Sequence, residues 1–427
     1  MRYCCDLMEA QIVAGNEVAM LYPAGYALSR QAHIAKRNRG GIISYALYSH
    51  NIVPLVFGTK DPSALDCSID SEVYRRLLDD FAPQVVHIHS IQGVGFSFFE
   101  QVNRRGIRCI FTTHDYYPIC LKCNFINQVG EVCPGPSAER CAVCNQATGL
   151  TRNKNMVMQS AAYRLLKNTR IVKKLRDRVK SEASNEAGDL LQARPVPKGV
   201  REGYKNAIDM NHRIIEMADV IHANSALAGK IYSSAFPESA IRVIPITHAG
   251  IDRCADDRKQ SGVFRIGYVG GANVYKGYKV LFKALSKLPE TMEWELHFFG
   301  TKPDVSTQAR DERIQYLGFY QSDQAADVFR DMDVLVVPSI WPETFGFVVV
   351  EALSAGTPVI CSDMVGAATL LDSSMVFESD NEKELADLLV NAYSNRPLNV
   401  RAPLQRMSAI SSMEKQEEAI KVELYDA

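Results

Sequence analysis

Two glutamates, Glu343 and Glu351, stand eight positions apart in the run Pro338-Ser339-Ile340-Trp341-Pro342-Glu343-Thr344-Phe345-Gly346-Phe347-Val348-Val349-Val350-Glu351-Ala352. Val334 to Val337 before them reads as a buried strand, and Gly346 to Ala355 carries the apolar spacing of a helix that Gly356-Thr357-Pro358 ends. The loop between strand and helix presents backbone amides, among them those of Phe345, Gly346 and Phe347. Amides at the positive end of a helix dipole attract a diphosphate, and carboxylates accept hydrogen bonds from hydroxyls, the groups that sugars and riboses offer. Taken alone, the pair could equally be two solvated helix-end glutamates. The flanking Pro-Ser and the following Gly-Thr-Pro-Val-Ile-Cys-Ser-Asp make the motif specific.

Three further groups could do chemistry. Arg265 to Tyr278 reads as a strand, a turn at Gly270-Gly271 and a helix start, where glycines let backbone approach phosphate and Lys276 supplies positive charge. A tight turn alone would also explain the two glycines. His114-Asp115 ends an apolar run, the place where open α/β sheets put their ligands, although a strand-end histidine is also a common structural residue. His87 and His89 belong to a neighbouring buried run. Cys120, Cys123, Cys133, Cys141 and Cys144 include two Cys-x-x-Cys pairs, a spacing that can close a tetrahedral zinc site; unliganded thiols in a surface loop are the alternative.

These residues need a scaffold of some size. At 427 residues the chain exceeds the length at which one core keeps growing. Apolar runs alternate with helical patterns at Val18 to Tyr22, Pro54 to Phe57, Val85 to His89, Cys109 to Thr113, Val220 to Ala223 and Val243 to Ile246. They continue at Phe264 to Val269, Trp294 to Phe299, Ile314 to Leu317, Val334 to Val337 and Pro358 to Cys361. Two such series predict two Rossmann-like domains built on parallel sheets. The joint is expected between Thr247 and Gly262, giving domains 1–250 and 251–400, followed by a terminal helical segment 401–427. A formal charge of -1 excludes a general nucleic-acid binder, and the weak basic balance argues against a zinc-dependent nucleic-acid module around the cysteines. No apolar stretch is long enough to span a membrane, so a cytoplasmic protein is expected. Residues 151–180 hold ten basic side chains and one acidic, Asp177, which predicts either a solvated helix or a peripheral contact with an anionic membrane.

The glutamate run with its flanks resembles the signature of family 4 glycosyltransferases, of the type that builds bacterial surface polysaccharides such as lipopolysaccharide. The resemblance covers almost the whole chain and is strongest over 264–363. It implies an α/β fold of the GT-B kind, two Rossmann-like domains whose parallel sheets face a central cleft, with the terminal segment 401–427 crossing back to the first domain. It places the nucleotide on the second domain, with Glu351 on the ribose hydroxyls, Glu343 and the Phe345, Gly346 and Phe347 backbone near the sugar and diphosphate, Lys276 on the phosphates, and His114 toward the donor sugar. The implied reaction moves a sugar from a nucleotide-sugar donor to a hydroxyl of a glycan or lipid-linked glycan with retention of configuration. Without an Asp-x-Asp clamp at a strand end, catalysis is expected to need no metal. Gly271 occupies the position of the family's second phosphate-binding group, an arginine. Some relatives carry a similar cysteine-rich loop, implying Cys120, Cys133, Cys141 and Cys144 as ligands of a structural zinc. Relatives also begin one strand and a Gly-Gly loop earlier, so a chain truncated at its first strand is expected, and a catalytically impaired nucleotide-sugar-binding remnant is the competing reading.

Overall fold

A computed structural model describes residues 2–26, 31–39, 41–49, 51–53, 58–167, 169, 196–251, 262–303, 311–407 and 412–426. The expected strand at 54–57, most of 168–180 and residues 252–261 of the expected joint lie outside these. The chain forms two compact units. One comprises Met1–Ala10, Ala223–Tyr232 and Arg242–Ala427 and holds both motif glutamates; the other comprises Gln11–His222 and Ser233–Ile241 and holds His114 and the cysteine loop. They are called the glutamate unit and the histidine unit.

In chain order the strands are β1 (Ala19–Tyr26), β2 (His33–Arg39), β3 (Ile42–Ser49), β4 (Val85–Ile88), β5 (Arg108–Thr112), β6 (Val220–Ala223), β7 (Ile241–Val243), β8 (Phe264–Val269), β9 (Trp294–Phe299), β10 (Ile314–Gly318), β11 (Val334–Val337), β12 (Val359–Ser362) and β13 (Val376–Phe377). The glutamate unit is built on one six-stranded sheet of order β10-β9-β8-β11-β12-β13, whose paired strands run parallel. Side chains alternate across it. Val334, Val336 and Ile360 pack with Leu281 of the Tyr278–Leu285 helix and Leu389 of the Glu382–Ser394 helix. Leu335, Val337, Val359 and Cys361 pack on the other face with Val349, Val350 and Leu353 of the Phe347–Ser354 helix. Both faces are therefore covered, which is why these strands read as unbroken apolar runs.

The strand order reverses between β8 and β11, since β9 lies on the far side of β8 and β12 on the far side of β11. The loops leaving the carboxyl ends of β8 and β11 thus flank a topological switch point, where open α/β sheets bind their ligands. One loop carries Gly270 to Lys276 and the other carries Pro338 to Gly346.

The histidine unit contains two sheets. A β1-β3-β2 sheet pairs β1 parallel and β2 antiparallel to β3, and a second sheet has the order β4-β5-β6-β7. β4, β5 and β6 are parallel, so the chain after each leaves at the same edge. The Arg2–Val13 helix precedes β1. β2 and β3 do not stand out in the sequence because β2 reads His-Ile-Ala-Lys-Arg-Asn-Arg, a polar edge strand. The basic segment opens as two short helices, Arg152–Gln159 and Ala161–Leu166, separated at Ser160.

Candidate functional site

In the glutamate unit, the two switch-point loops are tied together by charge. Lys276 lies in a single turn of 3-10 helix after β8, and its Nζ donates to Glu343 Oε1 at 2.7 Å. Glu343 is 4% exposed, and it also accepts a short hydrogen bond from the Ser339 hydroxyl. Its backbone is held on both sides: the Glu343 amide donates to Met364 O at 2.8 Å and the Gly366 amide donates to Glu343 O at 3.1 Å. Trp341 closes the side, with Lys276 Nζ 5.5 Å from its ring centroid and Tyr275 edge-on at 5.9 Å. Burial, and secondarily the Glu343 charge, pushes the Tyr275 phenol up, so it stays a neutral donor beside the carboxylate.

Gly346 stands at the N-cap of the Phe347–Ser354 helix with φ 94° and ψ 65°. A β-carbon there would come 2.8 Å from Val365 Cγ1, so both conformation and space require glycine. Phe345 is buried, and its carbonyl accepts from the Ala367 amide at 2.7 Å. This locks the entry to the helix and aims its first amides beyond the carboxyl end of β11.

Glu351, one turn into that helix, is oriented by a residue that sequence reading did not single out. His248 Nε2 lies 3.0 Å from Glu351 Oε1, and the Gly250 amide donates to His248 Nδ1 at 3.1 Å. Because an amide can only donate, Nδ1 carries no proton, and Nε2–H donates to the carboxylate. His248 is 4% exposed, packed edge-on against Phe347 at 5.1 Å, whereas the Glu351 side chain is 22% exposed. One carboxylate oxygen is fixed from inside and the group stays reachable from outside. Burial first and the Glu351 charge second push the nearby Tyr320 phenol up to about 12. His248 fell within a stretch read as an interdomain joint; its Ala-Gly-Ile-Asp sequel was the available signal.

The glycine pair behaves differently from expectation. The amides of Gly270 and Gly271 both donate to Phe299 O, at 3.3 and 3.0 Å, and Ala272 N donates to Thr301 O at 2.8 Å. They stitch the end of β8 to the end of β9 and are not available as a phosphate cradle. Gly271 has φ 61°, and a β-carbon there would lie 2.8 Å from Thr301 N. The turn is built for backbone contact between adjacent strand ends, which no local sequence pattern reveals.

In the histidine unit, four imidazoles gather at the carboxyl ends of β4, β5 and β6, His87 and His222 within β4 and β6 and His89 and His114 just beyond β4 and β5. His87 Nε2 lies 2.6 Å from Thr112 Oγ1, which lies 2.9 Å from His222 Nδ1. His89 Nδ1 lies 2.9 Å from His114 Nε2, and the rings stack, His87 on His89 at 4.3 Å and His89 on His114 at 5.1 Å. Burial, and then the neighbouring imidazoles, holds His87, His89 and His114 well below the ordinary histidine range. His114 is therefore a neutral hydrogen-bonding group near pH 7. Burial raises Asp115, which accepts from the Tyr117 amide at 2.7 Å and shapes the loop after β5.

The site elements therefore cap the carboxyl ends of parallel sheets in two α/β units, the arrangement of the GT-B fold. Over nearly the whole length the fold matches that of a sucrose-phosphate synthase from Thermosynechococcus elongatus, with a TM-score of 0.58 at 14% identity, covering 99% of this chain and 93% of that one. Residues 263–395 match the family described as Glycosyl transferases group 1. An uncharacterized glycosyltransferase of Methanocaldococcus jannaschii is 31% identical over 112 residues, 24% of this chain and 28% of that protein. A phosphatidyl-myo-inositol mannosyltransferase of Mycobacterium leprae is 33% identical over 135 residues, 30% of this chain and 36% of that protein. The matched stretch thus spans about a third of the length of these curated relatives. Among the described residues no helix is long and apolar enough to cross a membrane.

Proposed function

We propose that the chain transfers a sugar from a nucleotide-activated donor to a hydroxyl of a glycan or lipid-linked glycan, with retention of configuration. The observation that carries this is the pairing of the two switch-point loops through Lys276 and Glu343, with Glu351 held by His248 at the same helix terminus. Glu351 suits the two hydroxyls of a ribose, accepting from them with the oxygen that His248 does not occupy. Lys276 and the amino end of the Phe347–Ser354 helix suit the diphosphate. Lys276 arrives already neutralised by Glu343, so a bound diphosphate shares the ammonium and leaves Glu343 beside the departing sugar. His114 of the histidine unit, neutral and buried, is the second catalytic group, able to hydrogen-bond a sugar hydroxyl without adding charge.

This machinery stabilises the leaving diphosphate with an ammonium and a helix dipole, so turnover should not depend on a divalent cation. The acceptor class rests on the resemblance and on the basic segment at 151–180, which suits an anionic membrane surface at the cytoplasmic face. Incubation with a panel of nucleotide sugars and short glycan or polyprenyl-linked acceptors tests the reading. Retained anomeric configuration by NMR and undiminished turnover in chelator are expected. Inverted product or strict cation dependence would refute it.

One observation favours a second reading, nucleotide-sugar binding without transfer. At Gly271 the backbone has φ 61° and no room for a β-carbon, so an arginine cannot stand there to supply a second positive charge. Binding of a nucleotide sugar in calorimetry with no release of free nucleoside diphosphate, with any acceptor, would select it.

A further inference from the structure

The loop cysteines stay apart: among the described residues no three of their sulfurs lie within 4.8 Å of one another. The Arg2–Val13 helix, which carries no motif, does reach the candidate site, and its first half belongs to the glutamate unit. Tyr3 and Leu7 stand four positions apart on one helix face, are 2% and 1% exposed, and belong to one core cluster with Ile246, Phe345, Val349 and Val350. Arg2 and Asp6 form the row beside them. Burying the first row lays the second along the turn His248-Ala249-Gly250-Ile251, where the Arg2 guanidinium lies over Gly250 in the space a β-carbon would need.

Three consecutive amides follow His248, and each has its own acceptor. Ala249 N donates to Asp6 Oδ2 at 2.8 Å, Gly250 N to His248 Nδ1 at 3.1 Å and Ile251 N to His248 O at 3.1 Å. The last two bonds are local to the turn. Of the three acceptors only Asp6 comes from outside, 243 positions away in the chain. The middle bond is the one that fixes the His248 tautomer and so commits Nε2–H to Glu351. It holds only while the turn keeps its shape, and Asp6 is the outside group that clamps it.

We infer that Asp6 is a positioning residue of the nucleotide site, acting on the ribose through the His248 turn and Glu351. This role rests on the reading of Glu351 as the ribose acceptor. Without the Asp6 carboxylate the Ala249 amide turns to water, the turn loosens, and the Gly250 amide leaves His248 Nδ1. The ring then populates both tautomers. In the second one Nε2 is an acceptor that repels the Glu351 oxygen, so the Glu351 side chain regains rotamers that do not face a ribose. The diphosphate contacts of Lys276 and the helix end are left as they are.

Calorimetry on the full chain compares two ligands: whichever of the uridine, cytidine, adenosine and guanosine diphosphates binds best, and its 2′-deoxy counterpart. The wild type should favour the ribonucleotide about tenfold or more, the worth of a hydroxyl bonded to a carboxylate. D6A should lower the ribonucleotide's affinity about three- to fivefold, the size of one ordinary hydrogen bond, and the deoxynucleotide's less, so the preference shrinks. D6N, whose Oδ1 can accept from Ala249 N, should keep the wild-type preference. H248A should shrink it as D6A does, and adding D6A to H248A should change nothing further. Alanine is a good helix former at this half-buried position; if D6A nevertheless fails to fold, D6S, whose hydroxyl is one bond too short, takes its place. No preference in the wild type, or no nucleotide bound, overturns the ribose reading and the role of Asp6 with it. A wild-type preference that D6A leaves unchanged, or a fall equal for both ligands, overturns the role of Asp6 alone, and a loss in D6N as large as in D6A overturns the hydrogen bond as its cause.

Discussion

Replacing Glu351 by Gln changes one charge and almost no volume. Its Oε1 can still accept from His248 Nε2–H, now 3.0 Å away, so the side chain should keep its place between helix and histidine. What changes is the outward end, where an amide donor replaces a carboxylate oxygen facing the ribose. A charge-assisted hydrogen bond is worth about 1.5 to 3 kcal/mol. At about 1.4 kcal/mol per factor of ten, nucleotide affinity in calorimetry should fall roughly 10- to 150-fold. His248→Ala removes the anchor instead of the contact and leaves Glu351 free to rotate, so a smaller loss of about 1 kcal/mol is expected, the size of one ordinary hydrogen bond. If His248 acts through Glu351, adding His248→Ala to Glu351→Gln should cost less affinity than it does alone. An E351Q protein that binds nucleotide within twofold of wild type would refute the ribose assignment. Strict additivity in the cycle would refute the positioning role of His248.

Lys276→Met should weaken binding of a nucleoside diphosphate far more than that of the nucleoside, and Glu343→Gln should lower turnover while nucleotide affinity changes little; equal loss for nucleoside and diphosphate would remove Lys276 from the phosphate site. Gly271→Ala should destabilise the glutamate unit by about 1 to 3 kcal/mol, because the new β-carbon meets Thr301 N in a left-handed backbone, and a melting temperature equal to wild type would contradict the packing described. His87, His89 and His114 are held below the ordinary value of about 6.5 in the folded chain, so at acid pH the unfolded state takes up protons first. Stability from this cluster is then complete above about pH 6.5 and lost as pH falls toward the depressed folded values, by up to about 1.4 kcal/mol per pH unit for each histidine. Denaturant unfolding of the wild type and of a His87→Gln, His89→Gln double variant, compared between pH 7.5 and 5, should show a shallower loss in the variant; identical slopes would mean the imidazoles are not buried neutral.

What the sequence makes legible follows from how local each signal is. β8, β9, β11 and β12 are covered on both faces, so Val334 to Val337 and Trp294 to Phe299 announce themselves as apolar runs, and the Glu343–Glu351 spacing survives into the structure as a strand, a loop and a helix start. Partnerships made over long separations are not legible. His248 reaches Glu351 across 103 positions, and Gly271 spends its amide on Phe299, ties that no local pattern announces. β2 escapes notice because an edge strand with one solvated face need not look apolar.

The two edges of the β1-β3-β2 sheet are unequal in a way that bears on handling the protein in concentrated solution. β2 presents Arg37 and Lys36, the latter paired with Asp80, and charge on an edge strand opposes the approach of a second copy before backbone hydrogen bonds can form. β1, Ala-Met-Leu-Tyr-Pro-Ala-Gly-Tyr, has no charge at all, and its guards are Pro23 and the irregularity between Pro23 and Gly25. Edge-to-edge association of this unit, when it occurs, should therefore start at β1, and its onset should be insensitive to salt, whereas an association led by β2 would be promoted by screening.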